Sequence, residues 1–282
     1  MKFGQQFFKT SVLLMLLCVL LPVFNAAAES EEELAKKSLN PVAALISLPL
    51  QYNQDYGIGP DDNTKRTTLN IQPVIPVSLN QDMNVIIRTI APIIWAESPV
   101  AGGDNASGLG DITQSFFLSP KDPVGGWIVG FGPVFLYPTA SEDELGGKKW
   151  GAGPTGVVLK QESGFTYGLL FNHIWSFAGD DKRANVSATF LQPFVGYTTK
   201  TYTTLMVNTE SIYDWENRQW TVPLNIMLTQ MLKIGGQPLS LQLGYRYYTE
   251  VPEYGPDWGL RFAITFLFPK GVMEDLLPGQ PA

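Results

Sequence analysis

Apolar and polar residues alternate with a period of two along most of the chain, which is the pattern of a β-strand with one apolar face. The clearest stripe is apolar at every second position from Trp220 to Leu228, and two more run through 239–247 and 258–268. Strands that cross a membrane need about 9–11 residues, whereas strands of soluble proteins usually have about 5–6. The stripes therefore predict strands long enough to span a bilayer.

The pattern predicts an all-β protein, a closed antiparallel transmembrane β-barrel of about twelve strands. An even strand number and an alternation of short turns with long polar loops are typical of bacterial outer-membrane barrels. The count places both termini on the periplasmic side. The strands are expected at 42–53, 67–78, 83–95, 110–119, 126–137, 152–161, 164–177, 187–198, 201–210, 219–232, 238–249 and 258–268.

Residues 1–28 have the features of a signal peptide. Two lysines precede an apolar core at 11–24, and three alanines at 26–28 form a cleavage site before Glu29. The core is too short to span a membrane, and Leu17 before Cys18 argues against a lipoprotein. Export to the outer membrane of a Gram-negative bacterium is therefore expected, and the mature chain carries no cysteine.

Two short segments flank the predicted barrel, which extends over 41–269. Residues 29–40 form an N-terminal periplasmic segment, in which 30–39 read as a short, exposed helix ahead of the barrel. Residues 270–282 form a C-terminal tail. Because fourteen residues follow Phe268, the signal that the barrel-assembly machinery reads is expected to be internal rather than terminal.

Composition excludes several classes of protein. The formal net charge of -7 and the absence of a basic run argue against nucleic-acid binding. One Cys and one His provide neither a zinc site nor an iron–sulfur site. Residues 151–156 match G-x-G-x-x-G, but a strand follows the glycines instead of a helix. No cofactor, metal or enzymatic activity is therefore expected.

Aromatic residues fall near the predicted strand ends and share parity with the outward stripes. Rings with a polar edge favour the membrane interface, so two aromatic girdles are the natural interpretation; an aromatic core of a soluble protein is the alternative. The girdle residues are Tyr52, Trp95, Trp127, Tyr137, Tyr167, Trp175, Trp220, Tyr247, Trp258 and Phe268.

Charged residues inside the strands point to the lumen. An Arg or Lys facing lipid at the bilayer midplane costs about 2–4 kcal/mol, and Arg246 and Arg261 have the parity opposite their apolar stripes. They occupy adjacent strands and predict a basic ladder that acids could pair. These charges would either stiffen the wall or form a selectivity filter. The candidates are Arg88, Asp111, Lys160, Glu210, Arg246 and Arg261.

Acidic clusters lie in the predicted long loops, at 61–62, 142–144 and 180–181. None has the spacing of a dedicated calcium loop. They are expected to be solvated and bridged to lipopolysaccharide by divalent ions, or to attract solutes to a channel mouth. Membrane lipids, lipopolysaccharide and a small-molecule solute are thus the expected partners.

Several blocks resemble a family of bacterial outer-membrane proteins called transporter or neuromedin U-like, also the MetA-pathway of phenol degradation family. The most specific block is 132–154, which contains Pro138-Thr-Ala and the pair Lys149-Trp150. The resemblance implies an outer-membrane barrel that passes small molecules, and it implies no catalytic motif. The other blocks are 40–60, 70–80, 108–120, 172–179, 190–197 and 261–270.

Three functions remain open at this point. The leading hypothesis is a passive channel or transporter for small molecules, aromatic or hydrophobic ones among them, since no energy-coupling motif is present. The second is a plugged structural or adhesive barrel, which would require residues 29–40 or the loops to fill the lumen. The third is an outer-membrane hydrolase using His173, the only histidine, which shares outward parity with Phe171 and Trp175.

Overall fold

The computed structural model describes residues 31–99 and 103–269, which form one antiparallel β-sheet and one α-helix. The predicted signal peptide, its predicted cleavage position and the predicted tail 270–282 lie outside the described residues. No helix in the described ranges is long and apolar enough to cross a membrane. The elements are α1 Glu31–Ser38, β1 Ile46–Ile58, β2 Thr64–Ile71, β3 Val74–Ser78, β4 Met83–Ala96, β5 Ala106–Leu109, β6 Ile112–Pro120, β7 Ile128–Tyr137, a 3-10 helix Asp143–Leu145, β8 Lys149–Glu162, β9 Phe165–Gly179, β10 Ser187–Thr198, β11 Thr203–Thr209, β12 Ser211–Asp214, β13 Gln219–Ile234, β14 Gln237–Glu250 and β15 Trp258–Phe268.

The sheet closes on itself, because β1 pairs with β15 and β9 pairs with β10. Three of its members are strands interrupted once: β2 and β3 both pair with β1 and β4, β11 and β12 both pair with β10 and β13, and β5 continues β6 along β4. The fifteen segments therefore form a barrel of twelve strands, and all their pairings are antiparallel. The predicted fold class is confirmed.

Burial alternates along the strands as the sequence pattern predicts. On β13, Leu224, Ile226 and Leu228 are 37–52% exposed, whereas Asn225 and Met227 are 0% and 2% exposed. Apolar side chains thus cover the outside, and polar and small side chains line the lumen. A closed sheet leaves no unpaired edge, and that is the condition for strands in lipid.

The lower half of the lumen, at the end with the short turns, is filled by the N-terminal segment (31–45). Leu34 and Ala35 of α1 pack against Met231 and Leu267 of the wall. Val42 packs against the opposite wall, next to Phe117, where the absence of a side chain on Gly130 leaves room for it. The segment therefore bridges the two sides of the barrel.

This position corrects the expectation of an exposed helix ahead of the barrel. Leu34 and Ala35 are 3% and 2% exposed, and Gln161 of β8 donates a hydrogen bond to the carbonyl of Lys36 at 2.8 Å. A helix this short is marginal by itself, so its apolar face needs the lumen wall. The first strand also starts later than predicted, at Ile46, and ends later, at Ile58.

Candidate functional site

A cavity of about 780 Å³ occupies the upper half of the lumen, at the end with the long loops. Its walls come from β1, β2, β4, β14 and β15, together with the loops above them. Charged and amide side chains line it, among them Asn53, Asp55, Arg66, Glu210, Arg246 and Arg261. We call this space the upper cavity.

One level of the upper cavity is set by the register of four neighbouring strands. Arg246 lies opposite Gly259, Gly259 opposite Asp55, and Asp55 opposite Arg66. Residues directly opposite each other share a face of the sheet, so these side chains all point into the lumen. A side chain at Gly259 would collide with the Asp55 carboxylate. Glycine there lets Arg246 reach across to Asp55, at 3.5 Å.

The next level contains a buried ion pair between Arg261 and Glu210. Two parallel hydrogen bonds of 2.8 Å run from the Arg261 guanidinium to the two carboxylate oxygens. Arg261 Nε also donates to Asn53 Oδ1 at 2.7 Å. Such forked pairs are the strong form of charge-assisted hydrogen bond. Because Arg261 is fully engaged, the pair is a fixed part of the wall.

Glu210 reaches the lumen from a gap in the sheet, as the one residue between β11 and β12. The register places Pro193 of β10 and Pro223 of β13 next to this gap. Proline cannot donate a hydrogen bond to the ladder, so the ladder is interrupted on both sides of Glu210. The interruption holds the carboxylate between Arg261 and Arg246, whose NH2 atom lies 3.9 Å from it.

Arg246 is poorly satisfied in comparison with Arg261. Its contacts with Asp55 and Glu210 are long, and Nε has no hydrogen-bond partner among the described residues although it is buried. The guanidinium lies 5.4 Å from the ring centre of Tyr248, whose hydroxyl donates to Asp55 at 3.0 Å. Because both oxygens of Glu210 are bound by Arg261, Arg246 and Arg66 share the single carboxylate of Asp55.

A second cavity, of about 180 Å³, lies lower in the barrel between the wall and the N-terminal segment. Arg88 lines it and donates to Gln72 Oε1 at 3.1 Å. The inward stripe of β1 connects the two spaces, since Pro49 lines the lower cavity and Gln51 the upper one. On β1 the boundary between the two cavities therefore lies at Pro49 and Gln51.

Asp111 faces the lumen, but its carboxylate is used to hold the loop 138–148. Its oxygens accept hydrogen bonds from the backbone N–H groups of Ala140 and Gly147, at 3.1 and 2.7 Å. In the same loop, the hydrogen bond from Lys148 holds the pKa of Asp143 below its usual value. Leu145 packs into a small apolar cluster with Ile94. These contacts fix the loop at the long-loop end of the barrel, where Glu144 and Leu145 line the upper cavity.

Lys160 does not join the lumen charges, which corrects its inclusion among the candidates. It has the parity of the exposed Val158 and lies close to the short-turn end of β8. Its ammonium pairs with Glu162 at 2.7 Å. A lysine near the membrane interface can extend its charge into water, so the outward position costs little. The other five candidates face the lumen, and their selectivity role stays a prediction.

The predicted girdle aromatics all have outward parity. At the long-loop end, Trp258 stacks on Tyr56 at 4.5 Å, and Tyr137 meets Trp150 edge to face at 5.7 Å. Tyr52 does not lie at a strand end. It precedes Tyr56 by four residues, ~13 Å along the strand, and so lies deeper in the barrel wall. Trp95, Trp175, Trp220 and Tyr247 also lie toward the long-loop end, and Trp127, Tyr167 and Phe268 toward the other.

His173 lies on the outside wall within an aromatic cluster. Its Nδ1 is 2.7 Å from the Thr189 hydroxyl oxygen, which also accepts a hydrogen bond from Trp215 Nε1 at 2.8 Å. Trp175 covers the ring at 4.0 Å between centroids. In the described part of the chain no carboxylate is hydrogen-bonded to His173, so the third member of a catalytic triad is not present around it.

The remaining motifs of the sequence do not form a metal or cofactor site in the described ranges. They contain no group of three or more His, Cys, Asp or Glu side chains that could hold a metal ion. The glycines of 151–156 lie inside β8, and the acidic clusters lie in connections between strands. Sequence reasoning missed Asp55, Arg66 and Tyr248, although Asp55 continues the polar stripe of Gln51 and Asn53 on β1.

The closed twelve-stranded barrel, apolar outside and polar within, is a β-barrel of the outer-membrane type. The COG4313 outer membrane channel from Pseudomonas putida F1 is similar in fold: 16% identity, 80% of this chain and 96% of that chain covered, TM-score 0.62. The NanC porin is 11% identical, with 79% of this chain and 99% of that chain covered and a TM-score of 0.47. Outer membrane phospholipase A from Escherichia coli is 10% identical, with 79% of this chain and 90% of that chain covered and a TM-score of 0.47.

These three proteins share the fold with the chain. No protein-family model matches it, and no curated protein is similar to it by sequence. The resemblance to the transporter or neuromedin U-like family therefore stays a prediction, and the hydrolase using His173 stays the alternative to the predicted non-enzyme.

Proposed function

We propose that the protein is a passive channel for small solutes in the outer membrane of a Gram-negative bacterium. The observation that carries the proposal is the pair of lumen cavities along one stripe of β1, one lined by Gln51 and the other by Pro49. A solute that enters between the long loops would descend along β1 and leave beside the N-terminal segment. The charged lining favours a polar solute over the hydrophobic ones that the sequence left open.

The outer surface supports a membrane location. Large apolar side chains such as Leu243 and Phe131 are 64% and 62% exposed, a pattern that water penalises and lipid does not. Export through residues 1–28, assembly by the barrel-assembly machinery and contact of the loops with lipopolysaccharide belong to the same proposal.

Single-channel recording of the refolded protein, residues 29–282, in a planar lipid bilayer tests the channel. We expect a small, steady conductance, because the N-terminal segment fills the lower half of the lumen. Far-UV circular dichroism should first establish a folded barrel. A folded barrel that passes no current would contradict the channel and support the plugged barrel, which the filling of the lower lumen also favours.

His173→Ala should leave the conductance and ion preference unchanged, since the imidazole lies on the outside wall and not in the lumen. The matched control is Thr189→Ala, which removes the other member of the pair. Hydrolysis of a fluorogenic ester should be measured alongside. Hydrolysis by the wild type that disappears in His173→Ala would instead support an enzyme.

A further inference from the structure

We propose that the upper cavity contains a binding site for a small organic monocarboxylate, formed by Arg246 and Arg66. The inference rests on the proposed function and names the class of solute that the channel would accept. Three features of the cavity support it: a buried guanidinium with only long ionic contacts, a local excess of positive charge beside Asp55 and an acidic mouth.

The first feature is Arg246. It is only 9% exposed, its Nε has no partner in the described ranges, and its two ionic contacts are 3.5 and 3.9 Å long. A buried polar group without a hydrogen bond is costly. A carboxylate in the cavity would bind the two terminal nitrogens of Arg246, whose present contacts are long, and form the forked geometry that arginine favours.

The second feature is the local charge. The register places Arg66 opposite Asp55 and on the same face, and its guanidinium lines the upper cavity. The Arg66 guanidinium has no hydrogen bond or ion pair within 31–99 and 103–269. Two guanidinium groups thus face one carboxylate, since Glu210 belongs to Arg261. At this level Arg246, Arg66 and Asp55 leave a local excess of one positive charge, which a monoanion would neutralise; Asp111, which also lines the cavity, is bound to the loop 138–148.

The third feature is the rim above the site. Asp104 and Glu144 line the cavity at its mouth, and Glu97 there is paired with Lys65. These carboxylates repel a molecule with several negative charges more strongly than one with a single charge. The rim therefore disfavours polyanions more than it disfavours a monocarboxylate. The ring of Tyr248, next to Arg246, offers an apolar surface to the body of the solute.

Isothermal titration calorimetry of the refolded protein in detergent, with pentanoate as the probe and pentanamide as its neutral counterpart, tests the site. We expect saturable binding of pentanoate and binding of pentanamide that is weaker by about tenfold or more. Arg66→Gln and Arg246→Gln should each weaken pentanoate binding by a similar factor. Arg218→Gln, in the loop between β12 and β13, is the matched control and should have no effect.

Equal binding of the acid and the amide, or equal effects of Arg66→Gln and Arg218→Gln, would overturn the proposal. Arg66 is exposed, so this variant keeps the test valid even if Arg246→Gln fails to fold. Calorimetry does not depend on current through a membrane. A conducting barrel without pentanoate binding would remove this inference alone, whereas binding in a barrel without current would remove the channel alone.

Discussion

Deleting residues 31–40 should raise the single-channel conductance several-fold. The deletion removes α1, whose Leu34 and Ala35 lie inside the lower lumen against Met231 and Leu267. Conductance grows with the open cross-section of the pore, and this segment occupies the narrow half of the barrel. The apolar wall that it covers would become wet, so the barrel should also lose some stability. The measurement is bilayer recording of both proteins under identical salt.

Glu32→Gln is the control for this deletion, because it changes a side chain of α1 that is 64% exposed and leaves the helix in place. Its conductance should equal that of the wild type. If the shortened protein folds and its conductance is unchanged, the N-terminal segment does not restrict the path. If only the shortened protein conducts, the intact protein is a plugged barrel.

Glu210→Gln should destabilise the barrel by about 3 kcal/mol. The substitution leaves the Arg261 guanidinium, whose side chain is 3% exposed, without a counter-charge in the wall. Removing one partner of a buried pair costs more than the pair itself contributes, because the remaining charge stays desolvated. Urea unfolding of the protein in lipid vesicles, followed by tryptophan fluorescence, measures the loss.

Glu97→Gln is the matched control, since it breaks an ion pair with Lys65 in which both side chains are more than 40% exposed. We expect a loss below about 1 kcal/mol for it. Combining Glu210→Gln with Arg261→Met should recover most of the stability, because the buried charge that lost its partner is removed as well. Equal losses for Glu210→Gln and Glu97→Gln would show that the Arg261–Glu210 pair is not desolvated.

Strand parity could be predicted from the sequence because a sheet with one lipid face imposes a strict period of two. Leu224, Ile226 and Leu228 illustrate this, since all three face outward. The position of α1 could not be predicted, because its apolar face of Leu34 and Ala35 is too small to indicate a partner. Only the closed barrel supplies one.

Two residues of the upper cavity could also be predicted from strand parity. Arg246 and Arg261 interrupt apolar stripes, so their direction follows from parity. Asp55 and Arg66 fall in a stretch rich in polar and turn-forming residues that suggests a loop, whereas β1 and β2 extend through it. That Gly259 creates the space for Arg246 to meet Asp55 depends on register, which a single sequence does not reveal.

The seam between β1 and β15 has a consequence for the kinetics of folding. It joins Ile46 to Phe268, which are more than 200 positions apart, whereas every other strand pairing joins strands that follow each other in the sequence. The entropy of closing so long a loop costs roughly 2 kcal/mol more than that of a hairpin of about 20 residues. Local hairpins therefore form early and the seam closes late. Because the N-terminal segment directly precedes β1, the lumen becomes filled in that same late step.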